Sequence, residues 1–335
     1  MFQTKPRNIL ILACSIFLVF GMFNAAIGPV LGTLAEQTGS TLAAVGTVIT
    51  FLFLGSLITQ LVAGPLTDRY GQKPLLLTSL LLVAVCLPAF TNARSLPLML
   101  TLVFLTGMGQ GGLDLSANLI VSSAYPKNNT PVLNLLHFFF GVGAIIGPAL
   151  VSLTLVTLGS GLIVHWFAAG VFLLLAIVVF TTRETKPDRR REVEDQPGRN
   201  VGAKKVYLSP VLWLICAIIL VYVGVEYGAG SWATNFMAIT TGMAQENGAL
   251  VTSAYWAALT IGRLGGAALG SRINRIRLLM IAVLGSIIGA VLLVFGIGAG
   301  SLSTTAFILL GLSFGTMYPT SVGVMVAAFP NDQGK

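Results

Sequence analysis

Residues 64–73 read GPLTDRYGQK and lie at the junction of two long apolar segments, residues 43–66 and 74–92. This stretch carries one acidic and two basic side chains, whereas the flanking segments carry no charge. An α-helix needs about 20 apolar residues to cross the ~30 Å hydrocarbon core of a bilayer, and both segments are of that length. We therefore interpret GPLTDRYGQK as a short surface loop between two membrane-spanning helices.

The same length rule predicts ten spanning helices in the whole chain. Only 9% of the 335 residues are charged, and the mean hydropathy is +0.89. An ordinary soluble domain is roughly one quarter charged, so this composition excludes a soluble enzyme and a disordered protein. It also excludes a nucleic-acid-binding protein, despite a pI of 9.7. The predicted fold class is an all-α polytopic membrane protein. Its predicted spans are residues 8–31, 43–66, 74–92, 98–123, 132–157, 163–181, 208–239, 248–270, 278–298 and 304–328.

The positive charges determine the predicted orientation. With the N-terminus inside, every Lys and Arg lies in the cytoplasm except Arg94, which falls outside, and Arg263, which falls within a helix. This distribution is the one that the positive-inside rule requires. We therefore expect a multi-pass protein of the plasma (cytoplasmic, or inner) membrane, surrounded by lipid, with its N-terminus and its central linker in the cytoplasm.

A long polar connection divides the chain after the sixth predicted helix. Residues 182–207 mix basic and acidic side chains and indicate a solvated linker between a first bundle, residues 1–181, and a second, residues 208–335. A shift of about 203–204 residues aligns short motifs of the two halves, such as AYP at 124–126 with AFP at 328–330. We interpret the chain as two pseudo-symmetric halves of a twelve-helix protein, with helices 11 and 12 absent. A natural ten-helix product is the alternative.

The loop at residues 64–73 resembles the signature between the second and third helices of the major facilitator superfamily. The resemblance implies two pseudo-symmetric six-helix bundles. It also implies that Asp68 and Arg69 belong to a cytoplasmic gate that locks the outward-open state. Lys73 can help to hold the facing helix ends together. A weaker second copy of the loop ends at Arg272 and lacks the acid, so Arg272 joins the predicted gate by position alone.

Two carboxylates fall inside predicted spans, Asp114 in the fourth helix and Glu226 in the seventh. A charge deep in a bilayer costs about 2.5–3.5 kcal/mol, so an intramembrane acid indicates function. Gln110, Asp114 and Asn118 are spaced i, i+4 and i+8 and share one helix face, which predicts a polar cavity beside that face. The alternative is a packing stripe of small and polar residues, which does not explain the carboxylate.

Arg263 is the one cationic residue that the sequence places inside a span, and Glu226 is its expected partner. One cation cannot neutralise two acids, so we expect Asp114 or Glu226 to lack a cationic partner in some state. Burial then favours the neutral form of that carboxyl, which suits reversible protonation. The alternative is a static Glu226–Arg263 pair that holds the seventh and eighth helices together. Gly228 and Gly230 also predict a break in the seventh helix.

Polar and aromatic side chains in the spans are candidates for substrate binding. In the fifth helix, Asn134 and His137 share a face, although a lone His is more often a hydrogen-bonded core residue; we expect His165 at the membrane interface. Aromatic faces beside amides suit a sugar, whose ring has apolar faces and many hydroxyls, but each aromatic alone is equally consistent with packing or an interfacial anchor. The predicted substrate-binding residues are Gln110, Asn118, Asn134, His137, Tyr227, Trp232, Arg263 and Tyr318.

The sequences GGLD at 111–114, GVE at 224–226 and GR at 262–263 together resemble the fucose permease and glucose/mannose–proton symporter branch of the superfamily. In that branch an acid on the fourth helix is implicated in coupling, and the resemblance assigns this position to Asp114. We therefore expect a monomeric secondary active transporter without cofactor or metal. It would take up a small neutral sugar with protons by alternating access, with Asp114 and Glu226 as the proton-coupling residues.

Three other functional interpretations remain open. A drug or metabolite exporter on the same fold would exchange its substrate for protons. An inactive remnant is the second interpretation, and it applies if the ten helices are the whole product. A membrane-embedded enzyme is disfavoured, because no Ser/His/Asp set, His-rich cluster or metal-ligand spacing falls at a membrane face, and we expect no enzymatic activity.

Overall fold

The computed structural model of the chain describes residues 5–126, 129–182, 209–269 and 272–328. Within these ranges the regular secondary structure is entirely α-helical and comprises ten helices. They are α1 (Pro6–Thr38), α2 (Leu42–Tyr70), α3 (Gln72–Thr91), α4 (Leu96–Ala124), α5 (Asn129–Leu158), α6 (Ile163–Thr181), α7 (Pro210–Thr241), α8 (Gln245–Leu269), α9 (Arg275–Phe295) and α10 (Gly300–Ala328).

These helices confirm the predicted all-α polytopic class. Each predicted span falls on one helix, and most helices extend a few residues beyond the apolar stretch. Among the described residues, nine helices are long and apolar enough to cross a membrane, so the chain is a multi-pass membrane protein. The exception is α8, for which we also predicted a span. Polar residues such as Glu246, Asn247 and Arg263 make α8 less apolar than the other nine.

Glycines and a capping threonine define the helix ends in the first half of the chain. α1 ends at Gly39, which adopts the left-handed conformation with φ of 61°. Thr41 accepts a hydrogen bond from the Ala44 N–H at 3.2 Å and so caps α2. Gly71, in the GPLTDRYGQK loop, has φ of 91° and ψ of 173°, a conformation essentially restricted to glycine. The chain therefore passes from α2 to α3 through a single residue.

The described residues form two compact units. The first contains α1–α6 together with residues 245–253 at the start of α8, and the second contains α7, the rest of α8, α9 and α10. In the first unit, α1 is buried along most of its length and packs against α2, α4, α5 and α6. Its contact with α5 is made by backbone, because a Cβ on Gly143 would lie 1.9 Å from the carbonyl oxygen of Leu18.

The same pair of glycine contacts occurs in each unit. In the first unit, glycines of α4 lie directly on carbonyl oxygens of α2; in the second, glycines of α10 lie directly on carbonyl oxygens of α8. The pairs, with the distance from an added Cβ to the oxygen, are Gly107–Leu52 (2.0 Å), Gly111–Ser56 (2.4 Å), Gly311–Tyr255 (2.4 Å) and Gly315–Leu259 (2.2 Å). Corresponding residues are about 203–204 positions apart, which confirms the duplication predicted from the sequence.

In the second unit, α7 packs against α10 but presents a broad apolar face to the surroundings. Leu220 is 75% exposed, and its neighbours on that face are similarly uncovered. The exposed large side chains of the first four turns are Trp213, Leu214, Ile218, Leu220, Val221 and Val225. α7 is thus far less enclosed by protein than α1.

Candidate functional site

The predicted polar face of α4 is present in the first unit. Asp114 and Asn118 are half-buried, and Asn118 Nδ2 donates a hydrogen bond to Asp114 Oδ1 at 3.0 Å. Gln110, one turn earlier, is 3% exposed, and its Oε1 has no hydrogen-bond partner among the described residues. Asp114 forms no ion pair within the described part of the chain. The face therefore combines a carboxylate without a cation and an unsatisfied amide oxygen.

Glu226 is a buried carboxylate of the second unit. It is 2% exposed, and its Oε1 lies 3.1 Å from Nη2 of Arg263, whose side chain is 30% exposed. The ion pair between the seventh and eighth helices, expected as the alternative, is thus formed in this structure. The predicted break near Gly228 is wrong, because α7 continues without interruption from Pro210 to Thr241. Gly230 instead allows the ring of Trp256 to pack against the backbone of α7, since an added Cβ would lie 2.9 Å from Trp256 Cζ2.

Tyr222 is a site residue that the sequence analysis did not identify. It lies one turn before Glu226 on α7, and its buried hydroxyl contacts Glu226 Oε2. The same hydroxyl lies 2.9 Å from the backbone carbonyl oxygen of Phe314 on α10. The i, i+4 spacing of Tyr222 and Glu226 could have indicated the first contact. Nothing in the sequence pattern indicates the second.

Aromatic residues surround Glu226 on the α8 side. The hydroxyl of Tyr255 donates to the backbone carbonyl of Glu226 at 2.7 Å. The rings of Tyr227 and Trp256 meet edge to face with centroids 5.7 Å apart. Trp256 is buried, and its indole N–H has no hydrogen-bond partner in the part of the chain that the structure describes. The second unit therefore offers an unused donor beside an aromatic pair.

The side chains of the other candidate substrate-binding residues are more exposed. Trp232 on α7 is half-buried and Tyr318 on α10 is exposed. On α5, Asn134 and His137 are both exposed, and the His137 ring lies edge-on to Phe17, with centroids 5.4 Å apart. His137 is thus not the fully buried core residue of the alternative interpretation.

His165 was expected at the membrane interface, and that expectation is wrong. Its side chain is 0% exposed, because it faces the interior of the first unit and meets the ring of Phe90 edge-on at 6.0 Å. Neither ring nitrogen makes a hydrogen bond of normal geometry among the described residues, although the backbone of Leu162 interacts with the imidazole. Burying polar atoms without partners is destabilising, so this imidazole is an unusual feature of the core.

The GPLTDRYGQK stretch was predicted as a loop but forms the end of α2 and the start of α3, with only Gly71 between them, and it carries three of the four predicted gate residues. The guanidinium of Arg69 lies over the ring of Tyr70, 5.2 Å from its centroid. Lys73 Nζ donates to the Phe180 carbonyl at 2.9 Å, which ties the loop to the end of α6. The Asp68 side chain lies outside the described residues. Arg272, the fourth, is exposed just before α9.

Metal ligands are not clustered in the described ranges. There, no group of three or more His, Cys, Asp or Glu side chains could hold a metal ion.

A family model described as "Major Facilitator Superfamily" matches residues 12–335 of the chain. A curated relative, "Sodium-dependent glucose transporter 1" of Homo sapiens, is 22% identical over 274 residues, which cover 72% of this chain and 53% of that protein. The chain spans about half the length of the curated relatives it matches.

Two solved structures show the same fold. The D-xylose-proton symporter matches with a TM-score of 0.73 at 15% identity, covering 98% of this chain and 84% of that one. The nucleoside transporter NupG matches with a TM-score of 0.72 at 14% identity, covering 99% of this chain and 84% of that one. At these identities the likeness concerns the fold alone.

Proposed function

Because the chain belongs to the Major Facilitator Superfamily, a family of membrane transporters, we propose that it takes up a small neutral sugar together with protons. In this proposal the protein works as a secondary active transporter by alternating access. Asp114 and Glu226 are the protonatable groups, and the residues predicted from the sequence to bind the substrate supply its polar and aromatic contacts.

The observation that carries the proposal is the environment of Asp114. Its carboxylate is half-buried in a spanning helix, accepts a hydrogen bond from Asn118 and has no ionic partner within the described residues. An ionised carboxyl at this place is costly, and protonation removes that cost. The group is therefore suited to take up a proton on one side of the membrane and release it on the other.

Glu226 supports coupling in a different way. Its carboxylate is neutralised by Arg263 when it is ionised, and Tyr222 contacts its second oxygen. Protonation of Glu226 releases Arg263, whose side chain is 30% exposed and can therefore be solvated, and this limits the cost of the neutral state. Glu226 therefore serves as the second proton site of the proposal.

The choice of a sugar is supported by unused hydrogen-bonding groups. The Gln110 oxygen in the first unit and the Trp256 indole N–H in the second have no partners among the described residues. Sugar hydroxyls both donate and accept hydrogen bonds, and sugar rings pack on aromatic faces, so both kinds of group can be used. The similarity to a protein named as a sodium-dependent glucose transporter supports the same substrate class.

The orientation and the gate form part of the same proposal. The N-terminus and the central linker lie in the cytoplasm of a cell whose plasma membrane holds the protein. Asp68, Arg69, Lys73 and Arg272 then lie on the cytoplasmic side, where they form the inner gate. The contact of Lys73 with the end of α6 supports a structural role for this loop.

Uptake into proteoliposomes tests the proposal. The full chain is reconstituted, and radiolabelled D-glucose, D-xylose and uridine are offered with and without an inward proton gradient. We expect the gradient to drive accumulation of at least one of the two sugars. Asp114→Asn is expected to abolish gradient-driven accumulation while retaining exchange of the sugar across the membrane.

Glu36→Gln is the matched control, because Glu36 is an exposed acid near the end of α1. This variant is expected to accumulate the sugar as the unmodified chain does. Undiminished proton-driven accumulation in Asp114→Asn would refute the coupling role of Asp114. Proton-driven efflux of a solute instead of uptake would favour the exporter alternative.

A further inference from the structure

The hydroxyl of Tyr222 faces two hydrogen-bond acceptors at once. One is Oε2 of Glu226, one turn along α7, and the other is the backbone carbonyl oxygen of Phe314 on α10, at 2.9 Å. All three groups are buried in the second unit. Arg263 occupies the other carboxyl oxygen of Glu226, Oε1, at 3.1 Å. Oε2 is therefore the oxygen that meets Tyr222.

A phenol has one proton, and a linear hydrogen bond of full strength directs that proton to one acceptor at a time. A backbone carbonyl has no proton to give, so the contact with Phe314 requires Tyr222 to be the donor. The contact with Glu226 then requires a proton on the carboxyl, which donates to the phenol oxygen. Both contacts are hydrogen bonds of full strength at the same time only when Glu226 is protonated.

Ionised Glu226 changes this arrangement. A carboxylate can only accept, and a hydrogen bond to a charged acceptor is roughly twice as strong as a neutral one. Tyr222 then donates to Oε2, and the carbonyl of Phe314 loses its bond to α7. The proton on Glu226 thus decides whether Tyr222 connects α7 to α10.

From this proton count we propose that Tyr222 is a positioning residue that couples the proton on Glu226 to the contact between α7 and α10. The proposal rests on the assignment of Glu226 as a proton-coupling residue. No proton leaves Tyr222 in either state; the phenol only redirects its one proton. The added or removed proton belongs to Glu226 alone.

The groups that face Glu226 are consistent with this role. From α8, Arg263 meets the carboxyl and the Tyr255 hydroxyl donates to the backbone carbonyl of Glu226. From α7, Tyr222 meets the carboxyl and Tyr227 is the next residue of the chain. From α10, the facing group is a backbone carbonyl. Tyr222 is therefore the one group among these that contacts both Glu226 and α10.

The segment of α10 around Phe314, which accepts the hydrogen bond from Tyr222, is sensitive to the loss of that bond. Gly315, next to Phe314, lies against α8, since an added Cβ would be 2.7 Å from the backbone nitrogen of Arg263. Pro319 has no N–H with which to bond the Gly315 carbonyl one turn earlier. This part of α10 has fewer hydrogen bonds of its own, so the bond from Tyr222 matters more there.

Infrared difference spectroscopy on the detergent-solubilised full chain tests the proposal without any substrate. The pH is changed, and the carbonyl stretch of protonated Glu226 is identified as the band lost in Glu226→Gln. We expect tyrosine ring bands to change at the same pH as this carboxyl band. In Tyr222→Phe we expect the tyrosine change to be lost and the carboxyl band to move to higher frequency.

Tyr255→Phe is the matched control, because this buried hydroxyl bonds to the backbone of Glu226 rather than to its carboxyl. It is expected to keep the coupled change of the carboxyl and tyrosine bands. A carboxyl band at an unchanged frequency in Tyr222→Phe would overturn the proposal while leaving proton-coupled uptake intact. No pH-dependent Glu226 band at all would overturn both the proposal and the role of Glu226, whereas the role of Asp114 would still be decided by uptake.

Hydrogen exchange gives a second measurement that does not depend on the Tyr222 variant. After correction for intrinsic chemical exchange, amides around Phe314 are expected to be more protected at low pH than at high pH. Gln at position 226 can donate to the phenol as the protonated acid does. In Glu226→Gln we therefore expect the protection to lose its dependence on pH, and a dependence equal to that of the unmodified chain would contradict the proposal.

Discussion

Asn118 lies one turn beyond Asp114 on α4, and its side-chain nitrogen donates both to the carboxylate Oδ1 at 3.0 Å and to the Asp114 backbone carbonyl at 2.8 Å. Both amide protons of Asn118 are thus directed to the same residue. The amide holds the carboxylate in one orientation and leaves its own oxygen able to accept a hydrogen bond.

Removing this amide is expected to weaken proton-driven uptake. A hydrogen bond to a charged group contributes about 1.5–3 kcal/mol, so Asn118→Ala should lower the rate of gradient-driven sugar uptake at least roughly tenfold. Thr101→Ala is the control on the same helix, because that exposed hydroxyl donates to the Pro97 carbonyl. Equal uptake rates in the two variants would show that the amide has no part in coupling.

Breaking the Glu226–Arg263 pair is expected to destabilise the protein. Arg263→Gln leaves a buried carboxyl without its cation, and because the Arg263 side chain is 30% exposed we expect a loss at the lower end of the usual range, about 3 kcal/mol in the free energy of unfolding. In a Glu226→Gln background the same substitution should cost less than about 1 kcal/mol, close to an average interhelical hydrogen bond in a membrane. Thermal unfolding in detergent measures both. The same loss in both backgrounds would mean that the pair contributes no specific stability.

The backbone contact between α1 and α5 predicts a strong position dependence of glycine substitution. Gly143→Ala would place a methyl group 1.9 Å from the Leu18 carbonyl, and we expect a cost of about 1–3 kcal/mol from the forced separation of the helices. Gly170 on α6 has no atom within 4 Å of an added Cβ. Gly170→Ala should therefore gain up to ~1 kcal/mol from helix propensity. The two unfolding temperatures should move in opposite directions.

The buried imidazole of His165 predicts a stabilising substitution. His165→Leu replaces two polar atoms that make no hydrogen bond of normal geometry in the core by apolar ones, and we expect a gain of about 1 kcal/mol in the free energy of unfolding. His137→Leu serves as the control, because His137 is exposed and a surface substitution usually changes stability by less than about 0.5 kcal/mol. A lower unfolding temperature for His165→Leu would contradict this prediction.

Features that lie within one helix were predicted from the sequence. The length of each apolar stretch predicted the ten helices, and the 3.6-residue period of the α-helix placed Gln110, Asp114 and Asn118 on one face. The internal repeat predicted that residues about 203–204 positions apart are equivalent; Gly107 and Gly311 have this separation, and both lie on a carbonyl oxygen of a neighbouring helix. Helical geometry alone determines these relationships once the helices are assigned.

Features that depend on how neighbouring helices are rotated could not be predicted. Tyr222 meets a carbonyl 92 residues later, at Phe314, and the apolar pattern around both residues is compatible with many rotations. His165 was misplaced for the same reason, since a residue near a helix end faces either the lipid boundary or the protein interior. Gly228 predicted a break in α7, but a glycine in a spanning helix is equally compatible with a continuous helix.

α1 is buried within protein and α7 is largely exposed, and this difference determines which helix should lose its packing first. α1 has protein neighbours along most of its length, whereas side chains of α7 such as Leu220 and Val221 meet whatever solvent surrounds the chain. Cohesion of the second unit therefore depends on the acyl chains that cover it. Detergents with short tails, or bilayers that are too thin, should loosen α7 first, and purification conditions should be chosen by the stability of that half.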